Sequence, residues 1–532
     1  MARIQEGIAA EVLVAAIEEY LAAHPEAAVL EEGKVAFDLR SAQCTVRAQH
    51  SRCVVQFWNN ERNLLRTVTG LEVRAHGLRL LTRRMGASRP QTLELVPRNE
   101  RRAPTTRESA RRQYQRLLER VLGRHFLSAR TDGFRSAMDL EHSFGPAYVR
   151  GRLLQGPTAD AVIGVSASES GAVIDGVLTL GILWLDYCRA HTEANRHYGG
   201  LKVVVPAGSW RTTAERMAWL NHTAANFQLF TLDERSEELE PVEFHDLGNA
   251  RARLVHAYTA ESVLARCRPG LDRLMELVPD GAKKRVEVRP KTATEVGLQL
   301  HGLEFARVRQ VARQDSFERV LEVSFGAGQN ETMLDESTAE LCRELVMRLF
   351  HSRYPDGMHN DPLFRLQPER WLEAEVRAGL GELLPGVRGD QFYAQVPAVG
   401  IGDRSLLDLL TLDQRGRLVV IELKAEEDLH LPLQALDYWI RVRTLNADRQ
   451  TVGGAGRTLS AFERAGYFEG CEVADEDPRL LLAAPALRIH PANEAVLRYF
   501  SPRVEWELLA FGEHWRRELK IVFRKRSTDA RQ

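Results

Sequence analysis

Six cysteines in 532 residues, none in a CxxC pair and none at zinc-ligand spacing from a histidine, exclude a disulfide framework and a structural zinc site. There is no excess of charge of either sign. Lys and Arg number 72 against 73 Asp and Glu, for a net charge of −1, so any attraction for nucleic acid must come from local patches. A long hydrophobic run is missing as well. The longest apolar stretch, Gly176 to Leu185, is bracketed by Asp175 and Asp186 and is half the roughly 20 residues of a spanning helix, so it reads as a buried core element and no membrane partner is expected. The N-terminus has no basic segment ahead of an apolar one and carries Glu6, Glu11, Glu18 and Glu19; an amphipathic helix and a cytoplasmic protein are the expectation. With 38 glycines and 21 prolines, neither a collagen-like nor a disordered chain is indicated.

What is present is globular: 44% hydrophobic and 27% charged residues, and length for about three or four domains. Periodicity predicts a multidomain α/β protein. Residues 1–105 open with a helix followed by alternating strands (VAFDL, CTVRAQ, CVVQFW, LEVRAHGLRLLTRR), an α+β unit. Residues 106–260 begin in an arginine-rich helix and continue as an α/β domain. Between Arg101 and Arg135 stand ten arginines against three acids. There Tyr114, Leu117, Leu118, Val121 and Leu122 form an apolar helix face, and Arg112, Arg116, Arg120 and Arg124 recur on the opposite one. Such a stripe suits a phosphate backbone, although a solvated helix face has the same pattern. Residues 261–355 return to strands. Their TEVGLQLHGLEFARVR (Thr294 to Arg309) aligns without gaps on TGLEVRAHGLRLLTRR, sharing His76/His301, Gly77/Gly302 and Leu78/Leu303, which points to an internal repeat. Residues 356–532 alternate helix and strand as a mixed sheet flanked by helices requires.

Chemistry concentrates in SLLDLLTLDQRGRLVVIELKAEEDLHLPLQALDYW. Two apolar strands flank Asp413-Gln414-Arg415-Gly416, a hairpin turn. Centred on Arg415, it sets Asp408 across from Glu422, where two carboxylates repel unless a divalent cation lies between them; oxygen ligands of this kind suit Mg²⁺. Lys424, two residues on, faces the same side. A cation there can position a water and offset charge building on a phosphate.

These residues resemble a known signature. Asp408 followed by Glu422-Leu423-Lys424 at the end of an apolar strand resembles the catalytic motif of the PD-(D/E)xK nuclease superfamily, the restriction-endonuclease-like fold, with Leu407 where the motif name has Pro. Gln434 and Tyr438 in QALDY resemble the QxxxY motif of its RecB-like and lambda-exonuclease-like branches. The likeness covers about a third of the chain, roughly residues 365 to 525. It implies Mg²⁺, or Mn²⁺, held by Asp408, Glu422 and the Leu423 carbonyl, with Lys424 assisting water and Gln434 and Tyr438 supporting the site. A helix acid completes such a shell. Glu373 is chosen by analogy with the family's Leu-Glu helix, whereas Glu369 lies nearer the Leu372, Val376, Leu380 stripe.

The resulting expectation is a metal-dependent nuclease, an endonuclease acting on DNA rather than RNA, with Arg112, Arg116, Arg120 and Arg443 as phosphate contacts and a homo-oligomer compatible with the chain. Two rival readings are a nucleic-acid-binding protein with a vestigial nuclease domain, and a nuclease gated by a ligand of the middle domain. Other signals are weaker. GVSAS at Gly164 lacks the second Gly of a nucleophile elbow, and FGAGQN at Phe325 lacks the lysine of a P-loop. His430 reads as a helix-start residue, Val452 to Arg457 as a loop, and Arg516, Arg517, Lys520, Arg524, Lys525 and Arg526 as a basic tail suited to phosphate.

Overall fold

The computed structural model describes residues 5–529 except 7, 32, 40–41, 50, 59–62, 75–76, 84–89, 98–103, 140–141, 193–195, 246–252, 255–259, 313–318, 328–330, 358–359, 400–403 and 453–456. His76 of the repeat and most of the Val452 to Arg457 loop lie outside the described residues. The protein is mixed α/β and divides into two compact units, Met1–Leu127 with Phe134–Val149, and Ser128–Gly133 with Arg150–Gln532.

In the first unit, Ala10, Leu13 and Ile17 on one face of α1 (Ala10–Ala23) are buried with Val55, Phe57, Leu80 and Leu93 of an antiparallel sheet. Gln43–Gln49, Arg52–Trp58, Asn63–Arg74, Gly77–Arg83 and Gln91–Val96 form its meander, each strand pairing the next. The arginine-rich segment is helix α2 (Pro104–His125). Its Tyr114, Leu118, Val121 and Leu122 are buried while Arg112, Arg116, Arg120 and Arg124 are exposed, as the 3.6-residue period requires.

The second unit holds three large sheets. The middle sheet follows chain order from Arg130–Arg135 through β1 (Tyr148–Gln155), β2 (Thr158–Val165), β3 (His197–Pro206), β4 (Asn226–Asp233) and β5 (Glu238–Val242). β2, β3 and β4 are parallel, and β5 returns antiparallel. Between β2 and β3 lies α3 (Val177–Ala190), buried without a break from Val177 to Leu185; α4 (Arg211–Met217) links β3 to β4. The apolar segment Gly171–Ala190 is long and apolar enough to cross a bilayer by length and composition, but 67% of it is buried inside the protein, as in a core helix.

A second meander, Val286–Thr292, Glu295–Leu300, Leu303–Ala312 and Arg319–Phe325 with the short Thr332–Met333, shares one core with α5 (Ala260–Leu277) and α6 (Ala339–Ser352). The two aligned segments each span an antiparallel strand pair, with Arg74 pairing Gly77 in the first and Leu300 pairing Leu303 in the second. Gly302 has φ +73°, and a Cβ on it would lie 1.9 Å from the Arg370 carbonyl oxygen, so only glycine lets this turn abut the next helix, α7 (Pro368–Ala378). Arg353, fully buried, donates to the carbonyls of His301, Leu363, Leu366 and Gln367 and fixes the approach to that helix.

The C-terminal sheet continues with β6 (Val387–Val399), β7 (Arg404–Asp413), β8 (Leu418–Leu423), β9 (Arg479–Pro485), β10 (Glu505–Phe511) and β11 (Ile521–Arg526), neighbours in that order. β8, β9 and β10 are parallel, and the outer pairings are antiparallel. α8 (Leu431–Ala447) joins β8 to β9, and α9 (Ala492–Leu497) joins β9 to β10. Trp371, Leu372 and Val376 of α7 cover Leu409, Val419, Ile421 and Leu423 on one side, and Leu433, Leu436 and Trp439 of α8 are buried as well. All six residues of β8 are buried, which fits a central strand covered on both faces.

Candidate active site

The hairpin of β7 and β8 builds the site. Gly416 takes φ +82°, and Asp413 Oδ1 accepts the Arg415 and Arg417 N–H groups at 2.8 and 3.0 Å, which pins the turn. Register follows: Leu412 pairs Leu418, Leu410 pairs Val420 and Leu409 pairs Ile421. One step further, Asp408 stands opposite Glu422. Both carboxyls lie on one face of the hairpin, and Asp408 Oδ2 accepts the Leu423 N–H at 3.1 Å.

Glu422 is 2% exposed, and its Oε2 is buried with no hydrogen-bond partner. Burial, reinforced by the charge on Asp408, pushes its pKa well above the carboxylate range. Asp408 is raised for the same first reason, burial, against the lowering effect of the Leu423 N–H. Lys424 Nζ lies 3.6 Å from Glu422 Oε1, 3.8 Å from Glu369 Oε1 and 3.8 Å from Asp428 Oδ2. Burial disfavours its charge, but Glu422, Glu369, Asp428 and Asp408 outweigh burial and hold its pKa above that of an ordinary lysine. On α8, Tyr438 is raised by burial and then by the charges of Glu422 and Asp408; Gln434, half-buried, lies one turn earlier.

A pocket of about 420 Å³ opens on this group, lined by Gln367, Pro368, Glu369, Arg370, Glu373, Asp408 and Glu426. Both helix acids reach it, in different company. Glu373 is 3% exposed and bound by Arg370 (2.8 Å), Arg289 (3.3 Å) and Arg377 (3.4 Å). Glu369 faces Lys424, and burial raises its pKa. Asp428 and Glu426 were not singled out from the sequence; the acidic Glu426-Glu427-Asp428 run directly after Lys424 was the available signal.

Other candidates are engaged elsewhere. Arg443 Nε donates to Asp477 Oδ1 at 2.7 Å, and its guanidinium lies 4.5 Å over the Trp219 ring. His430 Nδ1 is 3.0 Å from Thr179 Oγ1. In the basic tail Arg516 stacks on Trp515, Arg517 pairs with Asp356, Lys525 with Glu494, and Arg524 and Arg526 with Glu507, so much of its charge is neutralised within the fold. Arg112, Arg116 and Arg120 belong to the first unit.

A divalent cation fits the donor set. Two carboxyls facing each other across a hairpin, one with an orphaned buried oxygen, call for a proton or a cation between them, and hard oxygen donors select Mg²⁺ or Mn²⁺. Among the described residues no three Asp, Glu, His or Cys side chains are gathered closely enough to enclose an ion as they stand. Two protein carboxylates beside an open pocket agree with the habit of Mg²⁺ to keep several waters. Comparison of the sequence with protein-family models and with curated proteins gives no match.

Proposed function

We propose that the C-terminal sheet carries the centre of a metal-dependent nuclease of the PD-(D/E)xK kind, hydrolysing phosphodiester bonds in DNA. The observation that carries this reading is the pairing of Asp408 with Glu422 across the hairpin, the Glu422 Oε2 buried and unpartnered, beside Lys424 at 3.6 Å. Asp408 and Glu422 would hold the cation. With Glu373 bound by three arginines, Glu369 is the helix acid better placed to join them. When bound, a divalent cation supplies Lewis acidity and charge neutralisation at the phosphate.

The protein's own groups do the rest. Lys424 stays protonated at neutral pH, so it donates hydrogen bonds: it orients the attacking water and offsets charge on the phosphate, and it does not abstract the proton. Tyr438, held as the neutral phenol, is a second donor from the α8 side. The choice of DNA rests on the motif resemblance. Labelled DNA and RNA, offered with Mg²⁺, with Mn²⁺ and with EDTA, test the reading. Metal-dependent cutting lost in Glu422→Gln is expected, and equal cutting by wild type and Lys424→Ala would sink it.

A further inference from the structure

The middle sheet has the same plan as the C-terminal sheet. In each, a hairpin (β1 with β2; β7 with β8) leads through a buried helix (α3; α8) to a parallel strand (β3; β9), then a short helix (α4; α9), a second parallel strand (β4; β10) and an antiparallel return (β5; β11). Registers agree too. Pro206 ends β3 and pairs Leu232, and Pro485 ends β9 and pairs Phe511. Two residues earlier, Val204 pairs Gly164 and Ala483 pairs Leu423. Setting Pro206 on Pro485 therefore sets Ile163 on Glu422 and Val165 on Lys424. Counted back across the Gly156-Pro157 loop, Arg150 stands opposite Ile163, as Asp408 stands opposite Glu422.

The two modules meet through a pseudo-twofold axis. Leu220 and Phe500, each three residues past its short helix, form an antiparallel bridge. Asn221 N–H donates to the Tyr499 carbonyl at 2.8 Å, and Ser501 N–H donates to the Trp219 carbonyl at 2.8 Å, so exchanging 219 with 499 and 221 with 501 exchanges the two bonds. The Arg189 guanidinium lies 5.8 Å over the Tyr499 ring, and that of Arg443 lies 4.5 Å over the Trp219 ring. Such reciprocity is what an isologous interface produces. Matching Arg189 with Arg443 sets Leu180 on Gln434 and Trp184 on Tyr438.

The five positions that read Asp, Glu, Lys, Gln and Tyr at the acidic pocket thus read Arg150, Ile163, Val165, Leu180 and Trp184 in the middle sheet. All five are at most 3% exposed, and the Arg150 guanidinium lies 5.9 Å over the Trp184 ring. A guanidinium and apolar side chains offer no ligand for a cation.

We infer that the middle sheet is a catalytically silent copy of the C-terminal one, and that the pair acts as an internal dimer gripping duplex DNA and cutting one strand of it. Rotation about a twofold axis leaves height along it unchanged, so the acidic pocket and its silent counterpart lie at one level on either side of the axis. The two backbones of a duplex are themselves related by twofold axes across the helix, a match that paired DNA-binding modules exploit. The duplex and the cut rest on the nuclease reading above; the pairing of the two modules does not.

Two measurements on the full chain separate these. In EDTA, anisotropy of a labelled duplex and of its separate strands, with a hydroxyl-radical footprint, is expected to show preference for the duplex and protection of both strands; preference for single strands overturns the inference. With Mg²⁺ and supercoiled plasmid, nicked circles are expected to accumulate, Glu422→Gln to lose all nicking, and Trp184→Phe to nick at the wild-type rate. Linear product formed in step with nicked product, or nicking that survives Glu422→Gln, reveals a second live centre and overturns it. Duplex protection without any cutting supports the pairing and ends the nuclease reading instead.

Discussion

The middle and C-terminal sheets share strand order and the placement of their helices, yet one interior is apolar around a single arginine, Arg150, where the other gathers acids and a lysine. At equivalent places Ile163 and Val165 pack in the core, while Glu422 is buried and Lys424 half-buried beside Asp408. The scaffold is therefore indifferent to the chemistry, which resides in a few side chains set on it. At these positions packing alone favours Ile163 and Val165 over Glu422 and Lys424, because a buried carboxylate beside another carboxylate costs stability unless a cation or proton sits with it. An acidic group held against that cost is what sets the C-terminal sheet apart as the candidate site.

The largest expected effect breaks this difference outright. Glu422→Gln removes one of the paired acids and Lys424→Ala removes the ammonium; each should lower the cleavage rate by about a hundred- to ten-thousandfold. Single-turnover rates against wild type measure it, and a loss under tenfold in both would mean that the two interiors differ in charge without differing in function.

Next comes an asymmetry across the pseudo-twofold axis. Arg216, almost fully buried, makes a two-pronged ion pair with Asp437 at 2.8 and 2.7 Å. The positions related to them hold Val496 and Leu183, both buried. Asp437→Ala should cost about 3–5 kcal/mol, since it strands a buried guanidinium, whereas the double change Arg216→Val with Asp437→Leu, which copies the other side, should cost far less. Chemical denaturation of the three variants decides; a double variant no better than the single one would show that the two sides are not interchangeable.

How much of this was legible beforehand depended on range. The hairpin register was readable because the turn at Asp413 to Gly416 is local and each strand is a short apolar run. Lys424 followed from the strand period, and Gln434 and Tyr438 from the helical one. Glu369 was readable from the helix stripe and Glu426 and Asp428 from the acidic run after Lys424, but their arrival beside Lys424 and its pocket depends on the docking of α7 and the path of the chain after β8, which spacing does not encode. Arg443 and the basic tail looked available for phosphate only because Asp477, Trp219, Asp356 and Glu494 are distant in sequence. The twin sheet was hidden for a different reason: Ile163, Val165, Leu180 and Trp184 form no motif, and the like endings VVVP and LAAP of β3 and β9 gain meaning only once the registers are known.

A smaller effect should appear in stability without any substrate. Burial and Asp408 raise the pKa of Glu422 in the folded protein above its unfolded value, so the ionised group destabilises the fold at higher pH. As pH falls through the raised pKa toward the ordinary carboxylate range, the folded protein takes up its proton first and that penalty disappears. In EDTA, Glu422→Gln should accordingly be more stable than wild type at neutral pH, with the gap closing on acidification. Mg²⁺ should close it from the other side, stabilising wild type by about 2.7 kcal/mol at a hundredfold excess over Kd and leaving the variant unmoved. Thermal unfolding across pH, with and without Mg²⁺, checks both; a gap independent of pH and of Mg²⁺ would remove Glu422 from any ion site.

The smallest effects test the reciprocity itself. Arg189→Ala and Arg443→Ala each delete one cation–π contact across the axis, worth about 0.5–2 kcal/mol. Arg443 also gives up its bond to Asp477, and Arg189 its bonds to the Tyr198 and Ala224 carbonyls and to the Tyr499 hydroxyl, so Arg189→Ala should lose at least as much as Arg443→Ala. The contacts lie on opposite sides of one interface and share no partner, so the double variant should lose the sum of the two. A double variant losing clearly more than that sum would mean the two contacts hold the interface as one cooperative element; additivity would mean that each half of the pair closes independently around the bridge at Leu220 and Phe500.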